Sequence, residues 1–400
     1  MKKKEQGLSL REWLSLAGLT CAAFVFNTSE FSPIGLLTDI AHDFGKTEAG
    51  AGLLISVYAW VVTVLSLPLM LLVSRMDLRR LLLWVVALFA AFQCVSWLSS
   101  SFAMLMMSRI GVACTHSIFW SIVAPIAVRV VPDRCRSLAL GTVVTGSSLA
   151  IILGLPLGRV IGLQVGWRIT FLCIGAVALL TLIWLMLSLP ALPSRGRFSV
   201  RKLPQLFGNS TLAGLYLFTF LVATAYYTCY SYIEPFFKQV AGMSDQIVTA
   251  ALIFFGCAGL VGSMLFSKFY MLNRYRFMGC VLVVLSCSLL LLQPLSFGVV
   301  PSIVLCLFWG TCVTAYNVSM QSEIISLSPP EATAVSMSIF SGIFNLGIGC
   351  GALAGGFVCS HSSIAYIGFA GGLIALGALA YWLFRLKHLV RASYDAGRSR

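Results

Sequence analysis

Charge is the scarcest component of this chain. Only 10% of its 400 residues are Asp, Glu, Lys or Arg, and 13 of them are acidic; an ordinary soluble domain carries about 25% charged residues. With 59% hydrophobic residues and a mean hydropathy of +0.95, that shortage excludes a soluble globular protein. Alternation of apolar and polar residues in units of about ten, the mark of a membrane barrel, is missing as well. So are the common enzyme signatures. Gly45-Lys46-Thr47 has Ile40 where a phosphate loop requires glycine, and neither a G-x-S-x-G elbow nor an H-E-x-x-H pair occurs. The run GIGCGALAGG lies in an apolar span with no preceding strand, so it resembles a dinucleotide loop only in composition. The thirteen cysteines include no C-x-x-C pair and fall mostly in apolar runs, which indicates neither zinc nor a disulfide framework. No enzyme, metal or other cofactor is expected.

Present in abundance are apolar runs of roughly 20 residues, long enough to cross a bilayer as helices. Twelve can be counted, at 11–38, 48–73, 79–98, 101–131, 137–162, 167–189, 211–239, 246–267, 275–296, 299–327, 332–359 and 363–386. An all-α membrane protein follows, with two six-helix bundles at 1–189 and 211–400 joined by the polar, Pro- and Arg-rich linker 190–210. The opening MKKKEQGLSLREW precedes an apolar run that is too long for a signal peptide and contains polar residues, so it reads as a retained first helix. The net charge of +14 sits in short connectors, not in a basic strip threaded with aromatics, so no nucleic acid is expected. Lys2, Lys3, Lys4, Arg79, Arg80, Arg134, Arg136, Arg195, Arg274 and Arg276 cluster on one side of the bilayer. That bias places both termini in the cytoplasm of a multi-pass membrane protein.

The segment NTSEFSPIGLL, 27–37, puts Glu30 deep within the first span. An ionisable group in hydrocarbon faces a bundle interior or a wet cavity, because exposure to lipid is expensive. Helical spacing places Asn27, Glu30, Phe31 and Ile34 on one stripe. The fourth span carries Arg109, His116 and Trp120 on another. Arg109 has two readings: a guanidinium that pairs with Glu30 and tunes a protonatable group, or one that snorkels and fixes helix position. His116 is either a proton or substrate ligand or a packed histidine. In the fifth span Gly154, Pro156, Gly158 and Gly162 favour close helix packing and a bend; Gly347, Gly351 and Gly355 repeat the pattern in the eleventh. Pro132, Gly154 and Gly158 match Pro329, Gly351 and Gly355 at one offset, and Glu30 matches Glu234 less strictly, which suggests two parallel repeats. Tyr226, Tyr227, Tyr230, Ser231, Tyr232, Glu234 and Pro235 form either an interfacial belt or a cavity gate. Trp309, Tyr316, Asn317, Gln321, Phe340, Phe344 and Asn345 add amides beside aromatic rings, the pairing that holds neutral polyols.

These features resemble the major facilitator superfamily along the whole chain. Its helix 2–3 motif is matched by Arg75, Asp77, Arg79 and Arg80 in PLMLLVSRMDLRR, its helix 4 motif by Arg109 and Gly111, and its antiporter motif by Gly154, Pro156 and Gly158. The antiporter motif is typical of the drug:proton antiporter branch and implies outward transport. FNTSEFSPIGLLTDIA, HSIFWSI, YSYIEPF and FSGIFNLGIGCGAL are similar to the bacterial sugar efflux transporters, exporters of arabinose and isopropyl thiogalactoside. The resemblance implies a substrate site of Asn27, Tyr58, His116, Phe119, Trp120, Tyr230, Glu234, Phe344 and Asn345. Proton coupling is expected through Glu30, Arg109 and His116, and gating by Arg75, Asp77, Arg79, Gly154, Pro156 and Gly158. The expected protein is a monomeric, alternating-access sugar exporter of the bacterial inner membrane, with protons and lipid as its other partners. A multidrug:proton antiporter of the same fold is the alternative, since Glu30 and Glu234 among aromatics could hold a cationic drug.

Overall fold

The computed structural model describes residues 8–73, 76–132, 135–193, 209–270, 272–328 and 333–398. Among the described residues every regular element is helical. The helices are α1 (Leu10–Gly35), α2 (Leu37–Asp43), α3 (Glu48–Val73), α4 (Leu78–Trp97), α5 (Phe102–Arg129), α6 (Arg136–Leu149), α7 (Leu155–Val165) and α8 (Trp167–Ser188). They continue with α9 (Ser210–Tyr230), α10 (Ile233–Gln239), α11 (Asp245–Phe269), α12 (Arg274–Leu290), α13 (Val299–Leu327), α14 (Thr333–His361), α15 (Ile367–Tyr381) and α16 (Lys387–Arg398). Ten helical stretches among the described residues are long and apolar enough to span a bilayer. The expected first and ninth spans, α1 and α12, are helical too, α12 shorter than its apolar run because it ends at Leu290.

Two expected spans are broken helices. α1 ends at Gly35 and α2 begins at Leu37; α9 ends at Tyr230 and α10 begins at Ile233. The breaks share one backbone geometry, with Leu36 at φ −125°, ψ 17° and Tyr232 at φ −118°, ψ 16°. Each break has a proline near it, a residue whose ring collides with the carbonyl four residues back and which donates no hydrogen bond. Pro33 lies just before the first break and Pro235 in the first turn after the second. The expected bend at Pro156 takes the form of a π-helical turn, Ala150–Gly154, set between α6 and α7. Such a turn absorbs the carbonyl that proline leaves unpaired.

Contacts divide the chain into two units: Met1–Ser32 with Val64–Phe198, and Pro33–Thr63 with Ser199–Arg400. The linker 194–208 lies outside the described residues. Within the first unit α4 packs on α5 and α8; within the second α12 packs on α13 and α15. The glycine helices complete the parallel. Gly154 and Gly158 face Thr28 and Ser32 of α1, while Gly351 and Gly355 face Thr224 and Thr228 of α9. Close approach without a side chain is what lets helices associate in lipid, where the hydrophobic effect gives no drive. A Cβ at Gly351 would lie 2.6 Å from the Thr224 carbonyl oxygen, whereas one at Gly377 meets nothing within 4 Å. Gly351→Val should therefore cost about 1–3 kcal/mol, read as a lower melting temperature in detergent. Gly377→Val should leave that temperature unchanged.

Candidate functional site

In the first unit, polar side chains in α1, α4 and α5 meet inside an aromatic shell. Ser29 is fully buried and serves as the hub. Its Oγ accepts from Arg109 Nη1 at 3.0 Å and from Gln93 Nε2 at 2.5 Å. Arg109 Nη2 reaches the backbone oxygen of Glu30 at 3.5 Å, and its guanidinium lies 5.8 Å from the Phe171 ring centre. The guanidinium therefore fixes the backbone of α1 at the point where the acid projects, and Arg109 does not snorkel: it is 1% exposed. The Glu30 carboxylate lies 3.6 Å from His116 Nε2, with 11% of its side chain accessible. Phe26 stacks on Phe119 at 4.2 Å and on Phe89 at 4.0 Å, and Trp120 stands edge-on to Phe119 at 5.3 Å. Asn27 is buried beside this group along α1. The structure thus joins Glu30, Arg109, His116, Phe119 and Trp120 in one unit. Ser29 and Gln93 were not singled out in the sequence; a polar residue recurring within an apolar run was the available signal.

A second set lies within the second unit. Tyr226 stacks on Tyr230 at 5.0 Å, and Tyr230 meets Phe255 at 4.9 Å and Trp309 at 6.1 Å. The tyrosines are therefore a packed aromatic cluster rather than an interfacial belt. Phe344 stands edge-on to Tyr227 at 6.1 Å. Asn345 donates through Nδ2 to the Ser341 carbonyl at 3.0 Å, while its buried Oδ1 has no hydrogen-bond partner among the described residues. Asn317 and Gln321 bond to each other at 2.5 Å. Tyr58, on α3, is 2% exposed and falls in this unit.

Glu234 is placed differently from Glu30. It is fully buried, and its Oε2 accepts from the Thr38 hydroxyl at 2.7 Å and the Thr38 N–H at 3.2 Å. Its Oε1 lies 3.5 Å from Lys238, which also reaches Asp245 at 3.2 Å. Aligned on the two helix breaks, Glu234 corresponds to Thr38, its own partner, and Glu30 corresponds to Tyr226. The Glu30–Glu234 match read from the sequence is thus out of register with the broken helices.

The connectors tie each unit to the segment that follows its sixth span. Asp77 caps α4, accepting from the Arg80 N–H at 2.9 Å, and also accepts from the Leu192 N–H at 3.0 Å. Arg79 donates to the Met186 carbonyl at 2.7 Å and Arg129 to the Pro193 carbonyl at 2.9 Å. Arg75 lies outside the described residues. In the second unit Glu323, 2% exposed, accepts from Tyr270, from Tyr394 at 3.0 Å and from Arg274 at 3.4 Å. Burial, and then the Glu323 charge, push the Tyr270 phenol well above its usual range, which keeps it a donor. Ser29→Ala should destabilise the first unit by about 1–3 kcal/mol, because Arg109 and Gln93 lose a shared buried acceptor. An unchanged melting temperature would mean the hub is not formed.

Residues 19–342 match the family model described as Major Facilitator Superfamily. Among solved structures, the chain is similar to a bacterial homologue of the human lysosomal transporter Spinster in an inward-facing, unoccupied conformation. That likeness has 16% identity, covers 98% of this chain and 99% of that one, and has a TM-score of 0.77. The occupied form of the same homologue matches at 18% identity, 98% of both chains and a TM-score of 0.74. A nucleoside transporter, NupG, in a mutant form, matches at 13% identity over 92% of this chain and 99% of that one, with a TM-score of 0.76.

Proposed function

We propose that this chain, which belongs to the Major Facilitator Superfamily, exports a small neutral polyol in exchange for protons. The class we favour is a sugar of the arabinose type or a thiogalactoside. Alternating access moves it, in the bacterial inner membrane, with both termini cytoplasmic and the protein acting as a monomer. The family supports the coarser part: the protein is a multi-pass membrane transporter of small molecules, in a family whose members are in general not enzymes. One observation carries the rest. A carboxylate and an imidazole, Glu30 and His116, stand 3.6 Å apart inside membrane-spanning helices, and an intramembrane ionisable pair is the ordinary hardware of proton coupling.

In this reading Glu30 takes up a proton, with His116 beside it and Arg109 holding the α1 backbone in place. Protonation removes a buried charge, and the smaller desolvation cost changes which conformation is favoured. The Asn345 Oδ1, uncommitted in the structure, accepts from a sugar hydroxyl. Tyr230 and Phe344, which lie in the same unit as Asn345, cover C–H faces. Asp77 and Arg79 hold the closing connector, while Gly154, Pro156 and Gly158 let the fifth span flex. A cationic drug is less well served than a sugar. Glu234, the second acid it would use, already holds Thr38 and Lys238.

In proteoliposomes, Glu30→Gln should abolish efflux driven by an imposed pH gradient while leaving counterflow of labelled arabinose. Unaltered pH-driven efflux would remove Glu30 from the coupling step. Asn345→Ala should weaken sugar binding about fivefold, the worth of one hydrogen bond, with normal membrane insertion. Native affinity in that variant would take the amide out of the site.

A further inference from the structure

A groove of about 680 Å³ opens in the second unit where α12, α15 and α16 come together. Its lining changes from apolar to cationic along each helix. Leu379, Leu383, Lys387 and Arg391 follow one another at intervals of four, and Arg276, Cys280 and Val283 step along α12 at four and three. A π-helical turn, Trp382–Leu386, lies within the first of these runs, and all of these residues line the groove. One end of the groove is therefore greasy and the other carries Arg276, Lys387, His388 and Arg391. Asp395 pairs with Arg391 at 4.0 Å, both side chains exposed.

At Gly279 a Cβ would come within 4.0 Å of a single group, the indole nitrogen of Trp382. That N–H is buried and has no hydrogen-bond partner among the described residues. A smaller groove in the first unit, of about 450 Å³, has a similar apolar lining around Leu180, Ile183 and Leu187. Its lining cation, Arg11, donates to the Ser188 carbonyl at 3.2 Å. What sets the larger groove apart is its surplus of positive charge.

We propose that this groove is a binding site for an anionic phospholipid. Its phosphate is held by Arg276, Lys387 and Arg391, and its acyl chains lie along Val283 and Leu383. A soluble anion has no use for the apolar wall, and a zwitterionic lipid gains little from the cations; an amphiphile with a negative head uses both. The site is independent of the transported substrate.

Native mass spectrometry of the full-length protein in neutral detergent, titrated with phosphatidylglycerol or with phosphatidylcholine of the same chains, tests this. Wild type should retain phosphatidylglycerol about tenfold more tightly. Lys387→Gln with Arg391→Gln should bring it down to the phosphatidylcholine level, and Gly279→Leu should weaken both lipids by filling the wall. Equal retention of the two lipids by wild type, a comparison that needs no variant, would overturn the proposal. So would unchanged phosphatidylglycerol binding in the double variant or in Gly279→Leu. Displacement of the lipid by millimolar inorganic phosphate would make the site one for soluble anions and overturn it equally.

Discussion

Hydrocarbon offers no partner to a charge, so every ionic group placed in it must be answered from within the protein. The interior arrangement follows from that demand. Arg109 is answered by Ser29 and by the backbone of Glu30, Glu234 by Thr38 and Lys238, and Glu323 by two phenols and Arg274. The links from Arg109 to Ser29, from Glu234 to Thr38 and from Glu323 to Tyr270 join helices far apart in the chain. Glu30 is the least encumbered of these acids. Its side chain has an imidazole for a neighbour and keeps a sliver of accessibility.

The two halves repeat one another in backbone more faithfully than in chemistry. Glycines four apart press the fifth span on the first and the eleventh on the seventh, and the first spans break at Leu36 and Tyr232 with nearly the same dihedrals. At the level of side chains the equivalence dissolves. Glu30 stands where the second half has Tyr226, in an aromatic cluster with Tyr230, Phe255 and Trp309. Each half thus encloses its own acids, Glu30 in the first and Glu234 and Glu323 in the second, among different partners.

The membrane class and nearly all the spans could be read from hydropathy because bilayer thickness sets a length that sequence must meet. The glycine contacts could be read as well, since small residues four apart have one use in lipid. Glu30, Arg109 and His116 stood out as charge where charge is rare. Ser29, Gln93 and Thr38 did not, because a hydroxyl or amide in an apolar run is common and only its partner gives it meaning. The helix breaks were hidden for a related reason: Pro33 and Pro235 announce that something changes, but whether a span kinks or ends depends on the neighbours that take up the freed carbonyls. Glu323 lay unnoticed near a span end, where an acid ordinarily faces water.

The cluster around Glu323 has a bearing on the last helix. Tyr394 belongs to α16, beyond the final span, yet its hydroxyl closes over an acid that is almost entirely enclosed, and its ring lies 4.0 Å from the Arg274 guanidinium. The amphipathic tail therefore acts as a stopper. Shortening the protein before that tyrosine would uncork a carboxylate and strip one face from its counter-ion, so what reads as a dispensable appendage is part of the insulation of the second bundle.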